Sequence, residues 1–155
     1  MSIQYVHTNI IAKDWKALAD FYVKVFECTP VYPERDLSGD WLDQLTHISG
    51  CKIKGIHLAL PGYVDGPTLE IFSYEPEDES QKTKQLNGRG LAHTAFHVDN
   101  VEKILENLIK HGGKQHGELV KSQYDGIGEL TVVYACDPEG NFIEIQNWNK
   151  SSLNG

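Results

Sequence analysis

A chain of 155 residues is long enough for one compact domain with a proper core. Its formal charge of −8 and pI near 5.3 exclude the basic footprint that nucleic-acid binding needs, while leaving room for a locally positive, metal-containing site. No apolar run approaches the ~20 residues of a membrane span, and the N-terminus lacks the basic and apolar regions of a signal peptide.

Residues 3–11 alternate as a strand, with Val6, Thr8 and Ile10 on one face and Tyr5, His7, Asn9 and Ile11 on the other. Asp14 is the expected N-cap of a helix whose apolar stripe is Trp15, Leu18, Phe21, Tyr22, Val25 and Phe26. A second strand is expected over 29–34, with Pro33 marking an edge or an exit. Residues 38–50 read as an inserted short helix capped by Asp40 and closed by Gly50, either a lid over a site or ordinary packing. Strands are expected over 53–60 and 68–74, joined by a turn from Pro61-Gly62 to Gly66-Pro67. Glu75 to Gln81, acidic and without an apolar period, reads as a linker.

The second half repeats the plan. Residues 91–98 alternate as a strand, and a helix follows Asp99, with Glu102 placed as in a capping box. Its apolar positions are Val101, Ile104, Leu105, Leu108 and Ile109, and Gly112-Gly113 ends it. A strand and a glycine-rich loop are expected between 114 and 128. Strands over 129–135 and 141–148 flank a type I turn at Asp137-Pro138-Glu139-Gly140, and the chain from Asn149 onward is expected to fray. Sliding one half onto the other brings His7 onto His93 and Thr8 onto Thr94. Each half ends on a strand with one carboxylate between apolar neighbours, Leu69-Glu70-Ile71 and Ile143-Glu144-Ile145. Alternation sends Glu70 and Glu144 to the face opposite those neighbours, together with Phe72, Tyr74, Phe142 and Trp148. The reading is α+β: two βαβββ modules, about 1–75 and 90–150, in a single domain of residues 1–155.

These motifs resemble the vicinal oxygen chelate superfamily, which includes glyoxalase I, methylmalonyl-CoA epimerase, fosfomycin and bleomycin resistance proteins and extradiol dioxygenases. The resemblance rests on His7-Thr8-Asn9-Ile10 ahead of Phe21-Tyr22, on Leu69-Glu70-Ile71, on His93 to Asp99, and on Asp137 to Glu144. It implies curled mixed sheets forming a cleft, with a divalent metal held at His7, Glu70, His93 and Glu144. Two imidazoles and two carboxylates independently suit Zn, Ni, Co, Mn or Fe. The resemblance further implies a small-molecule substrate with vicinal oxygens and a homodimer. It also implies proton transfer beside a metal-chelated carbonyl by a glyoxalase-like lyase, isomerase or epimerase, with Glu144 or Glu70 as base. An Fe(II) extradiol-type dioxygenase using His7, His93 and Glu144, or a drug-binding resistance protein, are the alternatives. The chain departs from bacterial glyoxalase I at Ile11 and Tyr74, where that enzyme has an arginine and an asparagine used on glutathione. It departs from the epimerase at Glu70, where that enzyme typically has glutamine.

His93 and His97 have the spacing of a helical metal pair, but on a strand they lie about 13 Å apart at ~3.3 Å per residue and cannot share an ion. His57 could line the cleft or sit on the surface; His47, His111 and His116 receive no role. Three cysteines, Cys28, Cys51 and Cys136, without a C-x-x-C pair, point to a reducing cytoplasm.

Overall fold

A computed structural model describes residues 2–80 and 83–150. The chain divides into two compact units, Met1–Lys82 and Thr83–Gly155. Gln81 of the expected linker and residues 151–155 of the expected frayed tail lie outside the described residues.

The first unit runs β1 (His7–Ile11), α1 (Trp15–Phe26), β2 (Thr29–Ser38), α2 (Asp40–Thr46), β3 (Lys52–Ala59) and β4 (Thr68–Glu75). Its four strands lie in the order β1-β4-β3-β2, with β1 parallel to β4 and the other pairs antiparallel. The α1 stripe closes over one face of this sheet, because Leu18, Phe21, Tyr22, Val25 and Phe26 bury their apolar area against β3 and β4. Leu58, Leu69 and Ile71 complete that core. Asp14 caps α1 as expected, its side chain accepting from the Ala17 N–H at 3.1 Å.

The second unit runs β5 (His93–His97), α3 (Val101–Lys110), β6 (Lys114–Gln115), β7 (Val120–Tyr124), β8 (Gly128–Cys136) and β9 (Phe142–Asn149). The order is β5-β9-β8-β6, with β7 also pairing to β8. Its first and last strands, β5 and β9, are again parallel neighbours. Val101, Leu105 and Leu108 of α3 pack towards β6, β8 and β9, whose Val133, Ala135, Ile143 and Ile145 are buried. The expected turn at 137–140 is held by the buried Asp137 carboxylate, which accepts from the backbone N–H groups of Glu139 and Asn141 at 2.9 and 3.0 Å.

Two caps differ from expectation. Asp40 does not cap α2: Gly39 is the N-cap, its carbonyl accepts from Leu42 and Asp43, and Asp40 sits inside the first turn. For α3 the capping side chain is Asn100 rather than Asp99, accepting from the Lys103 N–H at 2.9 Å. The buried Val101 fixes where that helix starts, so the competent oxygen is one residue later. Strand β2 also runs past Glu34 to Ser38 through a register shift between Val31 and Arg35. Its edge position accommodates Pro33, which needs no ladder donor.

The inserted helix α2 packs on the sheet face opposite α1. Its Leu42 is 1% exposed in a cluster with Cys51, Ile53 and Phe72, whereas Trp41 and Leu45 are exposed. The Asp43 carboxylate accepts from the Gly50 and Cys51 N–H groups, tying the helix end to the start of β3. Of the two readings of residues 38–50, packing is therefore what the first unit displays.

Gly55 lets this face close. A Cβ there would lie 2.1 Å from the Ile71 carbonyl oxygen and 2.4 Å from the Phe72 ring. Gly55→Ala should destabilise the protein by about 1–3 kcal/mol through overpacking. The measurement is the urea unfolding midpoint, and a midpoint equal to the parent's would show that Phe72 does not need this close approach.

Candidate metal centre

In the first unit the site grows from one row across the sheet. Antiparallel pairing sets His57 of β3 opposite Glu70 of β4, and parallel pairing sets Asn9 of β1 opposite Glu70 on its other side. All three side chains meet on the face away from α1. His57 Nε2 lies 2.7 Å from Glu70 Oε2, and Asn9 Nδ2 donates to Glu70 Oε1 at 2.8 Å. His7 Nε2 is 3.6 Å from the same Oε1. That spacing is too long for a hydrogen bond. It is close to the ~3.0–3.4 Å separating neighbouring ligands that each sit ~2.1 Å from one ion. The His7 and His57 rings meet edge to face at 5.6 Å, and His57 Nδ1 is 3.2 Å from the Thr68 hydroxyl. Glu70 is buried and His7 exposed, so the carboxylate is fixed while the imidazole opens outward.

The second unit repeats the row with different residues. Tyr134 of β8 faces Glu144 of β9, and the position opposite Glu144 on β5 is Ala95. Glu144 Oε2 accepts from Gln146 Nε2 at 2.8 Å, and the Tyr134 hydroxyl also bonds to Glu144. The His93 ring meets Tyr134 edge to face at 5.1 Å, as His7 meets His57.

Of the four residues singled out from the sequence, His7 and Glu70 come together within the first unit. His93 and Glu144 occupy the corresponding strands of the second. His93 and His97 lie at opposite ends of β5, in keeping with their exclusion as a pair. The residue whose part the sequence reading left open is His57. With His7 and Glu70 it offers ligand atoms that all lie within 4.8 Å of one another. The signal was available in principle: antiparallel alignment of 52–59 with 68–75 sets His57 against Glu70, but register is invisible without the loop length between the strands. Two imidazoles and a carboxylate are donors that divalent first-row ions accept, so the residues fit such an ion.

With this geometry in hand, the chain is identified by comparison. Residues 4–145 match the model of the Glyoxalase/Bleomycin resistance protein/Dioxygenase superfamily, and the chain belongs to that superfamily. A glyoxalase family protein from Bacillus cereus superposes with a TM-score of 0.82 at 17% identity, covering 96% of this chain and 95% of that one. The fosfomycin resistance protein FosX from Listeria monocytogenes superposes at 0.59 with 17% identity, covering 99% and 98%. A glyoxalase/bleomycin resistance protein/dioxygenase family enzyme from Burkholderia phytofirmans gives 0.58 at 18% identity, covering 95% and 100%. At these identities the likeness is one of fold. No curated protein matches the chain. Among the described residues no helix is long and apolar enough to cross a membrane.

Burial lowers the His57 pKa from 6.5, outweighing the opposing attraction of Glu70; the charges of Arg35 and His7 lower it further. The 2.7 Å contact alone would suggest a charged pair, but burial, Arg35 and His7 act against the proton on His57. A depressed histidine pKa means that the unfolded chain binds the proton first. The stability His57 contributes to metal-free protein is thus present above pH 6.5 and lost as pH falls through the folded value. The stability of His57→Gln, measured by urea unfolding from pH 7.5 to 5, should fall less steeply with acid than the parent's. Parallel curves would mean that His57 is not depressed.

Proposed function

We propose that this protein is a divalent-metal-dependent enzyme that moves a proton next to a carbonyl of a small molecule with vicinal oxygens: a lyase, isomerase or epimerase. The observation that carries the reading is the paired carboxylate. Each unit holds one glutamate through two hydrogen-bond donors on the face that also bears the first-strand histidine. The proposed ligands are His7 and Glu70 from the first unit, completed by His93 and Glu144 from the second. A divalent ion bound there supplies Lewis-acid polarisation of a substrate oxygen.

The chain's own residues do the rest. Glu144, or Glu70, accepts the proton from the substrate carbon and returns it to a neighbouring position, as a positioned carboxylate can. The Tyr134 and Gln146 bonds orient Glu144, and the Asn9 and His57 contacts orient Glu70, for that acceptance. The exposed His7 leaves an approach for substrate beside the buried Glu70. The working form is proposed to be a homodimer, in keeping with the habit of the superfamily. Equilibrium sedimentation at micromolar concentration should give twice the chain mass, and a monomer mass would remove the dimer from the proposal.

A second reading has one observation behind it. His7, His57 and Glu70 make a two-histidine, one-carboxylate set, the donor composition of non-haem iron oxygenases. Metal analysis separates the two. Iron accompanied by oxygen uptake favours oxygenation, while a protein that neither carries nor rebinds metal would be a binding module.

The proton-transfer reading predicts a split between two matched variants. Glutamine can offer an oxygen to a metal but cannot take a proton at neutral pH. Whichever of Glu144→Gln and Glu70→Gln removes the base should lose on the order of 10²–10⁴ in rate while retaining metal. The readout is metal content beside solvent deuterium exchange into a panel of 2-oxo and CoA substrates. Parent-rate exchange in both variants would refute proton transfer.

A further inference from the structure

We propose that His57 is a positioning residue for the metal centre: it donates from Nε2 to Glu70 Oε2, with Nδ1 steadied by the Thr68 hydroxyl, and so holds Glu70 Oε1 beside His7 for the ion. The inference rests on the proposed metal-dependent function and adds to it a residue outside the expected ligand set.

Three observations carry it. The first is the division of labour between the two carboxylate oxygens. Oε2 is engaged by His57 at hydrogen-bonding distance, whereas Oε1 faces His7 at the longer spacing of two ligands on one ion. The second is how the imidazole is fixed. Thr68 lies on β4 two residues before Glu70, on the same face, and its hydroxyl meets Nδ1 at 3.2 Å. The ring also stands edge to face against Phe72 at 5.9 Å, so it is held from both sides along β4. An outer residue that sets the angle of a ligating carboxylate commonly matters almost as much as the ligand.

The third observation comes from the internal repeat. Glu144 also receives two side-chain hydrogen bonds, one from a phenol in place of an imidazole and one from an amide placed on a different strand. Tyr134 stands in the register position of His57. The Asn9 position is taken by Ala95, which has no donor, and the amide comes from Gln146 on β9 itself. The residues differ and the two-point hold is kept, which is expected if holding the carboxylate is what the positions are for.

The alternative, direct ligation by His57, is decided by the same experiment. Zn(II) affinity would be measured by chelator competition for the parent, His57→Ala, His57→Asn, His57→Gln and His7→Ala. Imidazole nitrogens would be counted by pulsed EPR on the Cu(II)-loaded forms. Gln carries an N–H near the Nε2 position and reaches Glu70; Asn carries one near Nδ1 and does not. His57→Ala and His57→Asn should weaken Zn(II) binding by about 10–100-fold. His57→Gln should recover most of that loss, and all three should keep the parent's nitrogen count. His7→Ala should lose one imidazole nitrogen. Parent-like affinity in His57→Ala, no recovery in His57→Gln, or a missing nitrogen in any His57 variant would each overturn the positioning role while leaving a metal-dependent function standing. A parent that binds no divalent ion would overturn both.

Discussion

Strand alternation in β4 and β9 is the constraint on which the site depends. Leu69 and Ile71 must go into the α1 core, and Ile143 and Ile145 must go under α3, because their apolar area has nowhere else to be buried. The glutamate between each pair is thereby sent to the other face. A slip of one residue would put a carboxylate into an apolar core and two large side chains into solvent, at a cost of several kcal/mol. The packing that stabilises each unit therefore also places its carboxylate.

Neighbouring strands then set what surrounds that carboxylate. In the first unit the row Asn9, Glu70, His57 crosses three strands, and each flanking residue spends its donor on the acid. In the second unit Ala95 breaks the row, and Gln146 restores the missing donor from two positions along the same strand. The halves also differ in their insertions. The first spends its extra residues on α2, whose Leu42 covers Phe72 and Ile53 on the Glu70 face. The second adds β7 as a further strand on β8. Two copies of one plan have thus kept the acid and the first-strand histidine while changing what borders them.

Much of this was legible in the sequence, because the informative patterns were local. Period-two alternation found the strands carrying His7, Glu70, His93 and Glu144, and helical spacing found α1 and α3. The α1 cap at Asp14 was correct, while the caps of α2 and α3 fell one residue away, where Gly39 and Asn100 compete with adjacent aspartates. What was not legible depended on pairing between distant strands. His57 looks like any strand histidine until β3 is set against β4, and Tyr134 has no mark of its own until β8 is set against β9. The role of α2 was equally hidden, since Trp41, Leu42 and Leu45 are all apolar and only the fold decides that Leu42 alone is buried.

The central proposal is that His7, Glu70, His93 and Glu144 serve as the ligands of one divalent ion. Anomalous diffraction at the zinc edge, from crystals of zinc-loaded protein, tests it directly. The account predicts a strong peak about 2.0–2.2 Å from an imidazole nitrogen of each histidine and a carboxylate oxygen of each glutamate. A peak ligated by His7, His57 and Glu70 without His93 and Glu144, or no peak among these residues, would contradict it.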